Sequence, residues 1–300
     1  MQKIVTSFGL LIIRVLSFLP TPVTMLLGSI LGFIGYHIAK KRRNVGIKNL
    51  TLCFPDMSDK EKHLIIKKNF KHLMTSGIEY GLVFYASSER IKRMVEIKNI
   101  EFILEHYEKR PIILLCPHFV GLDMAAIRLS LEVVGYSLYS RQKNNLVAEK
   151  LKAARIRFSA PLGAEIFARQ EGLRQIIKLL RKTKRVFGYL PDQDFGERDS
   201  IYIPFFAYPK CATVDILPKL VQLTGAVVVP LAVYRVGNKY EVEIFKAWDN
   251  YPTNDPINDV IRMNQFIEKA ILRDITQYFW LHKRFKSQPD LPRGILYKDC

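Results

Sequence analysis

In "IILLCPHFVGLD" (112–123), an apolar run ends in a proline, and His118 then stands five positions ahead of Asp123. Histidine is the side chain whose ordinary pKa lets it take and return a proton near neutrality. A carboxylate on one ring nitrogen would orient the imidazole, fix its tautomer and stabilise the imidazolium formed at the other nitrogen. That pair suits removal of a proton from a hydroxyl as it attacks an ester or thioester carbonyl. With 28 acidic residues in 300, chance supplies roughly half of one such pair among six histidines, so the spacing alone decides little. Positions five apart on a helix are rotated about 140° from each other. A catalytic arrangement therefore needs His118 in a strand-to-helix turn forced by Pro117, and Asp123 folding back from a helix that begins near Val120. The same residues could also be a plain helix start with Asp123 on the favourable end of the dipole.

Three more segments carry candidate chemistry. "LPDQDFG" places Asp192 and Asp194 directly after an apolar run. Asp-x-Asp can hold a divalent cation in a sugar-nucleotide transferase, bond substrate hydroxyls, or form a polar turn closed by Gly196. Arg155 in "LKAARIRF" and Arg169 in "IFARQEGLR" have the planar fork that binds phosphate in a bidentate way. In a chain with 46 Lys and Arg, however, most arginines serve a solvated face. Cys53, Cys116, Cys211 and Cys300 are scattered, which argues against a disulfide framework and a structural zinc site. Cys116, closing "IILLC", reads as a buried strand cysteine rather than a nucleophile.

The elements that must position these residues alternate. Apolar runs over 111–116, 186–191, 226–233 and 240–245 read as strands, and the stretches between them repeat at helical spacing. The pattern predicts an α/β fold with a central, mostly parallel sheet flanked by helices. In such sheets ligands bind beyond the carboxyl ends of strands, where His118, Asp192 and Asp194 all fall. Ahead of the sheet, Ser58 and Glu61 form a capping-box pattern that starts a long helix.

The net charge of +18 calls for an anionic partner, but no nucleic-acid-binding signature accompanies it. Residues 1–50 carry seven Lys or Arg and no acid; residues 15–39 are uncharged and end at "KKRR". We expect residues 1–43 to be a membrane anchor with a basic flank, and 44–300 to be one catalytic domain. Pro20 and Pro22 leave an apolar run at the lower limit for a span, so a short spanning helix and an interfacial hairpin both fit. The basic flank predicts a cytoplasmic location for the remainder. "QYFWLHKRFK" (277–286) mixes aromatic and basic residues and suits a membrane interface, while Trp280 taken alone reads as a core residue.

A strand followed by His-x4-Asp at a helix start resembles the first block of the lysophospholipid acyltransferase superfamily. The whole chain is more similar to its late acyltransferases of lipid A biosynthesis, the lauroyl and myristoyl transferases. "RRNVGIKNLTLCFPDMS", "YLPDQDFGERDSIYIPFFAYPKCAT" and "QYFWLHKRFKSQP" resemble that branch in order, and the last two blocks are the specific ones. The branch often carries Glu where this chain has Asp123. The resemblance implies transfer of a fatty acyl chain from acyl carrier protein to a hydroxyl of a lipid A precursor of the Kdo-lipid IVA type. It implies no metal and no cofactor beyond the acyl donor. His118 would be the general base and Asp123 its orienting partner, while Arg155, Arg169, Asp192 and Asp194 would hold substrate. The implied partners are acyl carrier protein, the lipid A precursor and anionic lipids, with no nucleic acid, at the cytoplasmic side of a bacterial inner membrane. Alternatives are acylation of another glycolipid or a lysophospholipid, a metal-dependent glycosyltransferase, and a non-enzymatic basic binding protein.

Overall fold

The computed structural model describes residue 9, residues 11–139 and residues 145–300. The first eight residues of the expected anchor, and residue 10, lie outside that range. After a helical stretch over residues 11–16, α1 (Thr21–Ile38) and α2 (Lys40–Cys53) lead into α3 (Asp59–Tyr85). Pro20 is the N-cap of α1, where its missing N–H costs no helical hydrogen bond. Ser58 caps α3 as the sequence predicts: its hydroxyl accepts the Glu61 N–H while Glu61 accepts the Ser58 N–H. The boundary expected at 43/44 falls inside α2, and α1 lies along α3 rather than standing apart.

The main body follows in the order α4 (Ser88–Met94), β1 (Val95–Lys98), α5 (Glu101–Leu104), β2 (Ile112–Leu115), α6 (Leu122–Leu129), β3 (Gly135–Tyr139) and α7 (Asn145–Ile156). Then come β4 (Glu165–Ala168), α8 (Arg169–Thr183), β5 (Val186–Tyr189), β6 (Ser200–Phe205), β7 (Tyr208–Val214), α9 (Ile216–Thr224), β8 (Val227–Val236), β9 (Lys239–Ile244) and α10 (Pro256–Arg273). Seven strands form one sheet in the order β1-β9-β8-β2-β5-β3-β4. β8, β2, β5, β3 and β4 run parallel, and β9 and β1 run the other way at one edge. The expected mostly parallel sheet between helices is therefore the fold. β2 and β8 are buried over nearly their whole length, which is why they read as unbroken apolar runs. β6 and β7 make a separate antiparallel hairpin.

Candidate active site

β2 and β5 are parallel neighbours, with Leu115 the register partner of Tyr189. Three residues beyond Leu115 is His118; three beyond Tyr189 is Asp192, and Pro117 and Pro191 precede them at matching places. The ladder continues one step past the strands, where the Cys116 N–H donates to the Tyr189 carbonyl at 2.9 Å. Proline then ends the pairing because it has no N–H to donate, and the two chains present His118 and Asp192 side by side. His118 Nδ1 lies 2.6 Å from Asp192 Oδ1, and the His118 backbone N–H donates to Asp192 Oδ2 at 2.8 Å. The Asp192 carboxylate is fully buried and the imidazole is partly open to solvent. Burial by itself would raise the Asp192 carboxyl, but the His118 ring, the His118 N–H and Arg284 outweigh it and hold the group below its ordinary value. With a carboxylate at Nδ1, the neutral ring carries its proton there and leaves the Nε2 lone pair as the acceptor.

The turn that carries His118 is fastened from below. Phe279 N–H donates to the His118 carbonyl and Val120 N–H to the Gln277 carbonyl, so residues 277–279 run against it. Ser76 of α3 donates its hydroxyl to the Val120 carbonyl at 2.6 Å. Gly121 opens α6, and a Cβ there would lie 2.6 Å from the Tyr240 ring, so the turn can sit this deep only with glycine.

Asp123 lies in the first turn of α6 and takes a different partner. Its Oδ1 is 2.8 Å from Arg155 Nε, and Arg155 Nη2 donates to Oδ2 at 3.4 Å. The Tyr80 phenol belongs to the same group; burial first, and the Asp123 carboxylate second, push it up to about 12. Two of the residues expected to work together, His118 and Asp123, thus have separate partners among the described residues. Asp194 is turned inward: it accepts from Ser287 N–H at 2.6 Å, Ser287 Oγ at 2.9 Å and Gly196 N–H at 3.0 Å. Arg169, at the start of α8, lays its guanidinium 3.4 Å over the Phe195 ring and so joins the Asp192–Phe195 loop. Burial lowers its pKa despite the nearby Asp199.

Residues 1–287 match the family described as bacterial lipid A biosynthesis acyltransferase. The chain belongs to this family. It is 32% identical over 294 residues to a lipid A biosynthesis acyltransferase of Haemophilus influenzae, covering 96% of this chain and 92% of that protein. It is 31% identical to the lipid A biosynthesis lauroyltransferase of Escherichia coli K12, with 95% and 92% covered. To the palmitoleoyltransferase of the same organism it is 30% identical at the same coverage.

Within this family fold the "QYFWLHKRFK" segment is not a membrane face. Tyr278, Trp280, Arg284 and Phe285 are buried, and the segment forms the floor beneath His118. The expectation of an interfacial aromatic cluster is corrected here: these rings pack on one another and on Phe119, Phe54 and Phe205. Two buried asparagines hold the segment's backbone: Asn69 donates to the Thr276 and Tyr278 carbonyls, and Asn49 to those of Trp280 and His282. His282 accepts the Asp194 N–H on Nε2 at 3.3 Å. Burial first, then Arg284 and His118, lower its pKa to about 4, against the opposing pull of Asp192 and Asp194. Sequence reasoning passed over His282 and both asparagines. The only signal for His282 was its place inside one of the two specific blocks. Cys116 is fully buried with its thiol pushed up by that burial, as a strand cysteine would be.

Proposed function

We propose that this lipid A biosynthesis acyltransferase moves a fatty acyl chain from the thioester of acyl carrier protein to a hydroxyl of a lipid A precursor of the Kdo-lipid IVA type. The observation that carries the mechanism is the 2.6 Å contact between His118 Nδ1 and Asp192 Oδ1. It supports Nε2 as the base. As the acceptor oxygen attacks the thioester carbonyl, its proton passes to Nε2, and the imidazolium is stabilised by the buried Asp192 carboxylate. Collapse of the tetrahedral intermediate breaks the C–S bond. The departing thiolate takes the proton from Nε2, which returns the ring to its starting form.

Asp192 takes the orienting role that the sequence pattern suggests for Asp123. Asp123 then has a different task, which is to hold Arg155 with its fork fixed for a phosphate of the acceptor. Arg169, held flat on Phe195, offers a second guanidinium on the other loop. The charge of +18 would draw in an acidic carrier protein, a phosphorylated acceptor and anionic lipid alike. The apolar N-terminal helix and its basic flank support work at the cytoplasmic face of the bacterial inner membrane.

Two measurements test the reading. Purified His118→Ala protein should lose transfer from acyl carrier protein to the purified precursor, and wild-type turnover by that variant would sink the mechanism. Mass spectrometry of lipid extracts with and without the gene should show lipid A species short of one acyl chain. Loss of a chain from a phospholipid instead would reassign the acceptor.

A further inference from the structure

Helix α1 carries its residues in an inverted pattern for a water-soluble protein. Its buried face is small or polar, with Thr24, Gly28, Gly32 and Tyr36 at every fourth position. Its bulky residues point outward: Leu26 is 62% exposed, Phe33 52% and Ile38 76%, with Val23, Ile30 and Ile34 completing the stripe. Leu11, Val15 and Phe18 of the preceding segment extend the same kind of surface. A contiguous apolar face of this size needs an apolar medium.

How α1 is mounted decides how it can meet that medium. It runs antiparallel along α3 for its whole length. Thr24 bonds Glu79, a Cβ on Gly28 would strike Thr75, one on Gly32 would strike the Lys71 backbone, and Tyr36 reaches His63. Eighteen helical residues extend about 27 Å, so if α1 crossed a bilayer, α3 from His63 to Glu79 would cross beside it. Lys67, Lys68 and Lys71 are exposed on α3. Lys71 sits level with Gly32, near the middle of α1, where a lysine in hydrocarbon costs about 2.5–3.5 kcal/mol. The other face of α3 is bonded to the catalytic body through Asn69 and Ser76, so the body would be dragged in as well. Lying flat removes the conflict. The stripe enters the acyl region, Lys67 stays at its edge over the Phe33 ring, and Lys40 to Arg43 meet headgroups.

We infer that the α1 stripe and the apolar residues before it embed in the plane of one anionic phospholipid leaflet, so that the chain enters the membrane without crossing it. The inference rests on the membrane association proposed above, and the test separates the two. Full-length protein is mixed with vesicles of phosphatidylethanolamine and phosphatidylglycerol and floated on a density gradient. Wild type should float, and Leu26→Ser/Ile30→Ser/Phe33→Ser should bind at least roughly tenfold less, equivalent to about 1.4 kcal/mol. Failure of wild type to float would overturn membrane association itself, and equal flotation of the triple variant would remove the stripe from the contact. An epitope is then inserted after Met1 in cells, and spheroplasts are treated with external protease. An in-plane helix keeps the epitope protected on the cytoplasmic side. Cleavage of the epitope in protein that floats would overturn the in-plane arrangement and leave membrane association standing.

Discussion

Asp192 grips His118 twice, at the ring through Nδ1 and at the backbone through its N–H. The grip follows from strand register, since Leu115 and Tyr189 are partners and each chain runs three residues further through a proline. A carboxylate held at both points fixes the ring's tautomer and its rotation together. Asp192→Asn keeps the shape but can offer its amide N–H toward Nδ1, which favours the wrong tautomer. We expect kcat to fall by roughly 10²- to 10⁴-fold with KM little changed. Steady-state kinetics with purified carrier-bound acyl donor would read this, and near-normal turnover by the asparagine variant would remove Asp192 from the mechanism.

Asp123 and Arg155 should behave as a binding unit. In Asp123→Asn the guanidinium loses its nearest charge partner, and in Arg155→Lys the fork is replaced by a point charge. Each should raise KM for a phosphorylated acceptor by about tenfold while kcat falls less, and the double variant should add little to either. If Asp123→Asn cuts kcat as deeply as Asp192→Asn, Asp123 serves the imidazole and not the arginine.

The sheet was legible where strands are buried on both faces. β2, β5 and β8 stand out as apolar runs because both neighbours and both layers of helices cover them, and β9 shows through the alternation of Tyr240, Val242 and Ile244 with Glu241 and Glu243. The outer strands β1, β3 and β4 are four or five residues long and carry Glu96, Tyr136 and Glu165 among their apolar residues. Such a mixture has no clear period. In the site, His118 and Asp192 were each placed at a strand end, but their contact spans 74 positions and needs the strand order. One signal was available: "LLCPH" and "GYLPD" are two strand ends with proline at the same offset before a polar residue. Trp280 by itself reads as a core residue, but the burial of Arg284 and of the segment around it was hidden for a different reason. Aromatic and basic residues together suit both an interface and a packed floor, and only the asparagine bonds from α2 and α3 choose the floor.

Acid should weaken the fold earlier than carboxylate titration alone would. Burial lowers both His72 and His282 to about 4, from an ordinary value near 6.5. Between those two values the unfolded chain holds more protons than the folded one. Stability is therefore fully present above about pH 6.5 and is lost as pH falls toward about 4. Asp192, whose pKa is depressed, adds loss in the same direction at lower pH. Thermal unfolding of detergent-solubilised protein should show a lower Tm at pH 5 than at pH 7.5. His72→Gln should narrow that difference, and an unchanged gap would place the acid sensitivity elsewhere.

The contact between α1 and α3 depends on two glycines. A Cβ at Gly28 would lie 2.7 Å from the Thr75 Cα, and one at Gly32 would lie 2.6 Å from the Lys71 Cα. Both obstacles are backbone, so neither can be relieved by a side-chain rotation. Gly28→Val or Gly32→Val must push the helices apart, which strains the Thr24–Glu79 contact and, through it, the buried cluster of Glu79, Arg235 and Tyr240. Each substitution should cost roughly 1–3 kcal/mol, seen as a lower Tm. Gly77→Ala, on α3, provides the control, because a Cβ there meets nothing within 4 Å. Replacing glycine by alanine in the interior of α3 should raise Tm slightly, since glycine costs a helix about 1 kcal/mol relative to alanine. If all three variants unfold together with wild type, the two helices are not packed as closely as these glycines require.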